Sequence, residues 1–343
     1  MLLASGAAAT LQVLTGSVGP QSRREAKSTI NRNGGHIYDI IGDIHGHATE
    51  LRRLLQHLGY RETECGYKHE SRKVIFLGDF IDRGHLLREH KELLGIVMKM
   101  VSSGNALSVM GNHEFNALAY HTEIDGKPLR PHSKKNTDQH KAFLQEFDND
   151  PVARAEVLEF FKTLPLWIEL DELRVVHACW DQSSIDALTR FYGGSRMTSE
   201  LLVKASDPTT KEYKYVETIL KGYETPLPSG ISFLDKDGNR RYSMRAQWWK
   251  DGATCLGDVA IPPDIELGSA RDLPVPTDIP RYDREGKPCF IGHYWLRGKP
   301  SPLSNNVACL DYSVAKQGML VAYCWQGESV LSRWNYRYVD SLS

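Results

Sequence analysis

Three apolar runs in the first third of the chain each break into a glycine-containing turn that carries Asp, His or Asn. They are GDIHG at residues 42–46, GDFIDRG at 78–84 and GNHE at 111–114. A turn of this kind at the carboxyl end of a buried strand is where an open α/β sheet assembles a site. Oxygen and imidazole donors gathered there have the composition of a two-metal hydrolytic centre.

Helical patterning alternates with these runs. Residues 36–43 read as a buried strand. Residues 47–59 read as an amphipathic helix, with Leu51, Leu54, Leu55 and Leu58 recurring on one face. A second strand is predicted over 73–79, a helix over about 86–101, and a third strand over 106–112 with a helix opening at His113 and Glu114. A unit of about 35 residues is the size of βαβ construction, so a right-handed parallel sheet is expected. The polar stretch 122–163 predicts a mostly helical cap. Residues 164–179 predict a strand pair joined at Asp171 and Glu172. Residues 181–285 are rich in Pro, Gly and charge and are expected to form an insertion packed over the site. Alternating strands over 288–295, 305–312 and 318–325 close the chain. The expectation is one α/β domain over 35–335, with insertions at about 122–163 and 181–285, behind a flexible leader at 1–34.

Composition bounds the partners. The 343 residues suffice for one large α/β domain with insertions, and 41% hydrophobic with 25% charged residues is an ordinary globular balance. A formal net charge of -1 provides no global field for nucleic acid or an anionic membrane, so neither is expected as a partner. Six scattered cysteines without a C-x-x-C pair suit reduced thiols in a cytoplasmic protein. The apolar start lacks a basic n-region, and Arg23, Arg24 and Lys27 follow it rather than precede it. No later stretch approaches the roughly 18 apolar residues of a membrane span.

Asp43 and His45 stand two apart at a strand end, so both can reach one cation. Asp79 repeats the arrangement on the next strand, where a carboxylate can bridge two cations. Asn112 offers a carbonyl oxygen at the third, and His177 and His293 end the runs LRVVH and CFIGH. Six such residues at six comparable positions form one pattern rather than six coincidences.

With VVHA and a later GH, the three motifs resemble the phosphoprotein phosphatase family of the calcineurin-like metallophosphoesterases, over about residues 37–325. Asp82–Arg83–Gly84 resembles the protein-phosphatase branch, while IGHYW is similar to bacterial members and diadenosine polyphosphate hydrolases. The resemblance implies a sandwich of β-sheets flanked by helices. It implies Asp43, His45 and Asp79 on one divalent ion and Asp79, Asn112, His177 and His293 on the second. Manganese is the first expectation, with iron, zinc or nickel as alternatives. Such a pair clamps the attacking and leaving oxygens and activates a water.

His113 is the natural general acid, and the resemblance implies Asp82 as its orienting carboxylate, favouring the protonated ring, with capping of the following helix as the alternative. Arg83 offers a planar fork for phosphate, and Asn112 also lies at the phosphate position. Arg245 and Arg297 are further phosphate candidates, with pairing to a cap carboxylate as the alternative. Trp248, Trp249 and Trp295 line a pocket for an aromatic leaving group or belong to the core. Cys179 and Trp180 stand where many members have Gly after VHA, which alters the loop beside His177. The first functional expectation is a phosphomonoesterase acting on a phosphoprotein or small phosphoester. The alternative is a dinucleoside polyphosphate hydrolase, and a silent binding protein ranks last because the site is complete.

Overall fold

The computed structural model describes residues 37–83, 89–234, 240–263 and 265–342; the leader at 1–34, Gly84 and the first residues expected of the second helix lie outside them. The chain begins with three strand–helix units: β1 (Tyr38–Ile41), α1 (Ala48–His57), β2 (Lys73–Phe76), α2 (His90–Ser102), β3 (Ala106–Ser108) and α3 (Asn112–His121). The leucine stripe explains α1, since Leu51, Leu54, Leu55 and Leu58 are all buried. Three helices follow: α4 (Lys134–Gln139), α5 (Lys141–Phe147) and α6 (Pro151–Thr163). Asp150 caps α6 by accepting from the Ala153 N–H, with Pro151 at the first helical position.

Next come β4 (Trp167–Glu169) and β5 (Arg174–Val176), an antiparallel pair as the sequence predicts. The stretch expected to have weak periodicity contains α7 (Gln182–Tyr192), α8 (Ser199–Ala205) and α9 (Lys211–Lys221). It also holds a three-stranded sheet whose Met244 and Ala246 join Leu256 and Val259 of a short helix in a small core of their own. The chain ends with β6 (Cys289–Ile291), β7 (Val307–Cys309), β8 (Asp311–Tyr312), β9 (Met319–Trp325) and β10 (Tyr336–Asp340).

Two sheets face each other. In the first, β1, β2 and β3 run parallel, while β9 pairs antiparallel with β1, β8 and β10. The wholly parallel sheet expected from the repeat is therefore mixed. Short connections join β8, β9 and β10, and without a crossover helix neighbouring strands return antiparallel. The last strand, β10, lies past residue 335 and extends the sheet. The second sheet has the order β7-β6-β5-β4.

Side-chain alternation builds the layers. Tyr38, Ile40, Ile75, Val175, Phe290, Ala308, Val321 and Tyr323 fill the space between the sheets. Their neighbours Ile41, Val74, Phe76, Val176, Ile291 and Cys309 turn to the helical side. Fully burying a side chain of this size contributes about 1.5–3 kcal/mol. The strand ends on which the site rests are thereby held from both faces.

Candidate metal centre

The strand-end turns converge. Asp43 follows β1, Asp79 follows β2, His177 follows β5 and His293 follows β6, each within one to three residues of the strand. Asn112 departs from its expected place at a strand end. β3 stops at Ser108, Met110 N bonds Pro165 O outside the sheet, and Asn112 opens α3. All of these residues and His45 are buried.

Asp79 Oδ2 is the common point. It lies 3.8 Å from His45 Nε2, 3.3 Å from His177 Nε2 and 4.0 Å from His113 Nε2. Two donor groups, His45–Asp79–His113 and Asp79–His177–His293, each fall within 4.8 Å and share that carboxylate. Asn112 Oδ1 is 3.3 Å from His177 Nε2, and Asp43 Oδ2 accepts from the His293 N–H at 3.0 Å.

The rings are oriented from behind. His45 Nδ1 donates to Ile81 O at 2.9 Å and His177 Nδ1 to Leu77 O at 2.7 Å. A carbonyl only accepts, so Nδ1 carries a hydrogen in each ring and Nε2 is the atom presented to the cluster, the orientation a metal ligand requires. Asp43 Oδ1, His45 Nε2 and both ring nitrogens of His293 are buried without a hydrogen-bond partner among the described residues. Orphaned buried donor atoms of this kind are costly unless something binds them. The donor set fits divalent cations.

Charge is distributed unevenly over these donors. Burial pulls His45 down to about 3 and His293 well below the usual imidazole range, so both rings are neutral. Burial also opposes charge on His177, but the Asp79 carboxylate overrides it and carries that ring up to about 10. Burial, then the Asp311 charge, hold Asp43 well above the usual carboxylate range. Asp79 is also disfavoured by burial, yet His177 and His113 bring it well below that range.

The backbone is strained at the same place. Six of the nine non-glycine residues with left-handed φ among the described residues are His45, Asp79, Asp82, Arg83, His293 and Trp295. Such conformations persist where surrounding structure over-determines them, characteristically at functional sites. Close packing forces the glycines: a Cβ on Gly78 would run into the Gly111 backbone, and one on Gly292 into Asp43.

Beside the cluster, His113 Nδ1 bonds Asp82 Oδ2 at 2.7 Å. Three partners of the site were not singled out by the sequence reading. His140 Nδ1 takes the other Asp82 oxygen at 2.9 Å, across 58 residues, and its Nε2 lies 3.1 Å from His121 Nε2. Burial opposes ionisation of Asp82, but His140 and His113 hold its carboxyl far below the usual range. Glu114 accepts from the Asp79, Phe80 and Gly111 N–H groups, each at 2.8 Å, locking two motifs together. Its place three residues after the Gly111 cap was the readable signal. Asp311, buried after β7, accepts from Trp295 N at 2.7 Å and from Ser313 N at 3.0 Å. A lone Asp in an apolar run gave no notice of that.

The arginines divide. Arg83 lies over the Trp295 ring, with Cζ 4.8 Å from the centroid, and that ring is 6.3 Å from His45. Arg245 faces Glu224 at 3.7 Å, the carboxylate pairing weighed against phosphate, although its charge still reaches His293. Arg297 is exposed and makes no polar contact with the cluster among the described residues. Trp248 and Trp249 are core residues, and Trp248 Nε1 donates to Ala178 O. Trp295 alone of the three stands at the site.

The calcineurin-like phosphoesterase family model matches residues 38–182, the stretch from β1 past His177. The fold is that of the calcineurin-like metallophosphoesterases. A protein of Oceanobacillus iheyensis named bis(5'-nucleosyl)-tetraphosphatase (asymmetrical) is 30% identical over 142 residues, 41% of this chain and 54% of that protein. One of the same name from Halalkalibacterium halodurans is 35% identical over 145 residues, covering 41% and 56%. The chain thus spans about half the length of the curated relatives it matches. A solved structure of a cold-active protein tyrosine phosphatase aligns with a TM-score of 0.48 at 14% identity, covering 88% of this chain and 80% of that one. The family match takes in Asp43, Asp79, Asn112 and His177 and stops before His293. Among the described residues no helix is long and apolar enough to cross a membrane, and all six cysteines are free.

Proposed function

We propose that this chain is a dinuclear-metal phosphohydrolase that cuts a phosphoanhydride bond of a dinucleoside polyphosphate. The observation that carries the hydrolase reading is the single Asp79 carboxylate shared between two buried donor groups, the first of which has His113 rather than Asp43 beside His45. Asp43, His45 and Asp79 would hold one divalent cation, and Asp79, Asn112, His177 and His293 the other. Manganese is our first choice, with iron, zinc and nickel compatible with the same donors. When bound, the pair would screen phosphoryl charge and acidify a water.

The remaining work falls to the protein. Asp82 fixes His113 through Nδ1, leaving Nε2 turned toward Asp79 and able to give a proton to the departing oxygen. Arg83 would grip the phosphoryl oxygens through its fork. The Glu114 bonds hold the Asp79 turn rigid while this happens. The names of the two relatives favour a phosphoanhydride over the phosphomonoester that the sequence reading put first. The half-buried Trp295 beside the site suits a nucleotide better than a phosphoprotein.

Manganese-loaded protein should be offered diadenosine tetraphosphate, a phosphoserine peptide and p-nitrophenyl phosphate. The expected result is a kcat/KM for the dinucleotide at least about tenfold above the peptide, a difference of about 1.4 kcal/mol in transition-state binding. The reverse order would restore the monoesterase. No turnover of any of the three, with manganese absent from the protein, would leave the silent binding protein.

A further inference from the structure

Two cations converge on one aromatic ring beside the site. Lys316 Nζ stands 4.4 Å from the Trp295 ring centroid and Arg83 Cζ stands 4.8 Å from it. Neither cation has an ion-pair partner among the described residues. Attraction of each to the ring accounts for part of the arrangement. It does not account for two like charges sharing one ring beside the donor cluster.

The placement of Lys316 is built into the backbone. The turn Val314–Lys316 is flanked by left-handed Ser313 at φ 61° and Gln317 at φ 60°. Lys316 N closes it onto Ser313 O at 2.8 Å. Ser313 Oγ donates to Leu296 O at 3.2 Å, and Leu296 N donates to Asp311 O at 2.9 Å. The buried Asp311 carboxylate holds both segments at once, Trp295 through one oxygen and Ser313 through the other. The Lys316 side chain itself is exposed on this anchored turn. With Ser313 and Gln317, eight of the nine left-handed non-glycine residues described belong to the metal centre or to this corner.

We propose that Lys316, together with Arg83 on the Trp295 ring, forms a subsite for the phosphate next to the one being attacked. It would recognise a polyphosphate chain, of a nucleotide or free, in preference to a single phosphate. The inference rests on the phosphohydrolase reading and makes Lys316 its specificity residue. A polyphosphate passing from the metal centre to the ring would bring negative charge between the two cations and relieve their repulsion. A monoester offers no second phosphate and uses Arg83 alone.

Calorimetric titration of the manganese-loaded protein with inorganic tripolyphosphate and with orthophosphate tests this, with magnesium in excess of the titrant so that the bound metal is not stripped. Tripolyphosphate should bind the parent protein more tightly than orthophosphate. Lys316→Gln should weaken tripolyphosphate about tenfold, the scale of one charge-assisted contact, and orthophosphate less than about twofold. Lys316→Arg should keep most of the difference, and both variants should melt with the parent. Equal weakening of both anions, or of neither, would overturn the subsite, as would a parent that does not distinguish them. Diadenosine tetraphosphate turnover, measured separately, distinguishes the two failures. Preferential tripolyphosphate binding without turnover sinks the proposed function alone, and turnover with undifferentiated binding sinks the subsite alone.

Discussion

Glu114→Gln isolates one structural idea: that the Asp79 turn is held in place from behind by a single carboxylate. Glu114 Oε2 accepts two N–H groups, from Asp79 and Gly111, and Oε1 accepts one, from Phe80. An amide of the same shape has only one acceptor oxygen. With that oxygen at the Oε2 position, the NH2 meets the Phe80 N–H; turned over, it meets the other two. At least one buried donor is therefore left unsatisfied, at about 1–3 kcal/mol, and the surviving bonds lose their charge assistance. A loss of about 2–4 kcal/mol follows, roughly 3–6 °C in melting temperature for a domain of this size. The strained Asp79, at φ 51°, should then relax and manganese affinity should fall at least about tenfold. Thermal unfolding with and without chelator, and manganese titration, measure the two effects. A variant that melts with the parent and binds manganese equally well would refute the reasoning.

Asp79→Asn should release both cations and abolish nearly all turnover, which elemental analysis and phosphate release would read together; one retained metal equivalent would contradict a bridging role. His113→Asn should keep the metals while lowering kcat by about 10²–10⁴ on an alkyl phosphate, and by less on p-nitrophenyl phosphate, whose leaving group scarcely needs a proton. A loss independent of leaving group would remove His113 as the acid. Glu50 is disfavoured by burial, yet the His47 ring 3.5 Å away and a bond from the Leu342 N–H bring its carboxyl down to about 2. A depressed carboxylate contributes stability above its unfolded value near 4.5 that is lost as pH falls toward the folded one. Glu50→Gln should thus be less stable than the parent at pH 7, with the gap in urea midpoint shrinking from pH 4.5 toward pH 2. A constant gap would assign the effect to packing.

The contrast between Asp43 and Asp311 explains why the sequence announced some site residues and not others. Asp43 interrupts an apolar run at a glycine turn, and local chemistry alone makes that conspicuous. Asp311 also stands in an apolar run, but its work is to bond Trp295 and Ser313 across a fold the local pattern cannot specify. His140 is more extreme, a polar residue in a polar cap that meets Asp82 only because α4 and α5 bring it back over α3. Arg245 and Arg297 were equivalent as charges, and burial and partners separated them. The parallel strands β1, β2 and β3 were legible because each carries its own helix. The antiparallel return of β9 and the added β10 were not, since strand direction depends on which edge remains free to pair.

By itself the sequence determined which atoms this protein can offer a cation or a phosphate, because donor identity and the apolar-to-glycine breaks are properties of the chain. It determined the layered α/β arrangement for the same reason, through side-chain period. Only the tertiary structure decided which rings would gather around Asp79, that His113 would be flanked by a carboxylate serving two rings, and that Lys316 would reach Trp295. Those are distances between residues far apart in the chain, set by how two sheets close over a common core.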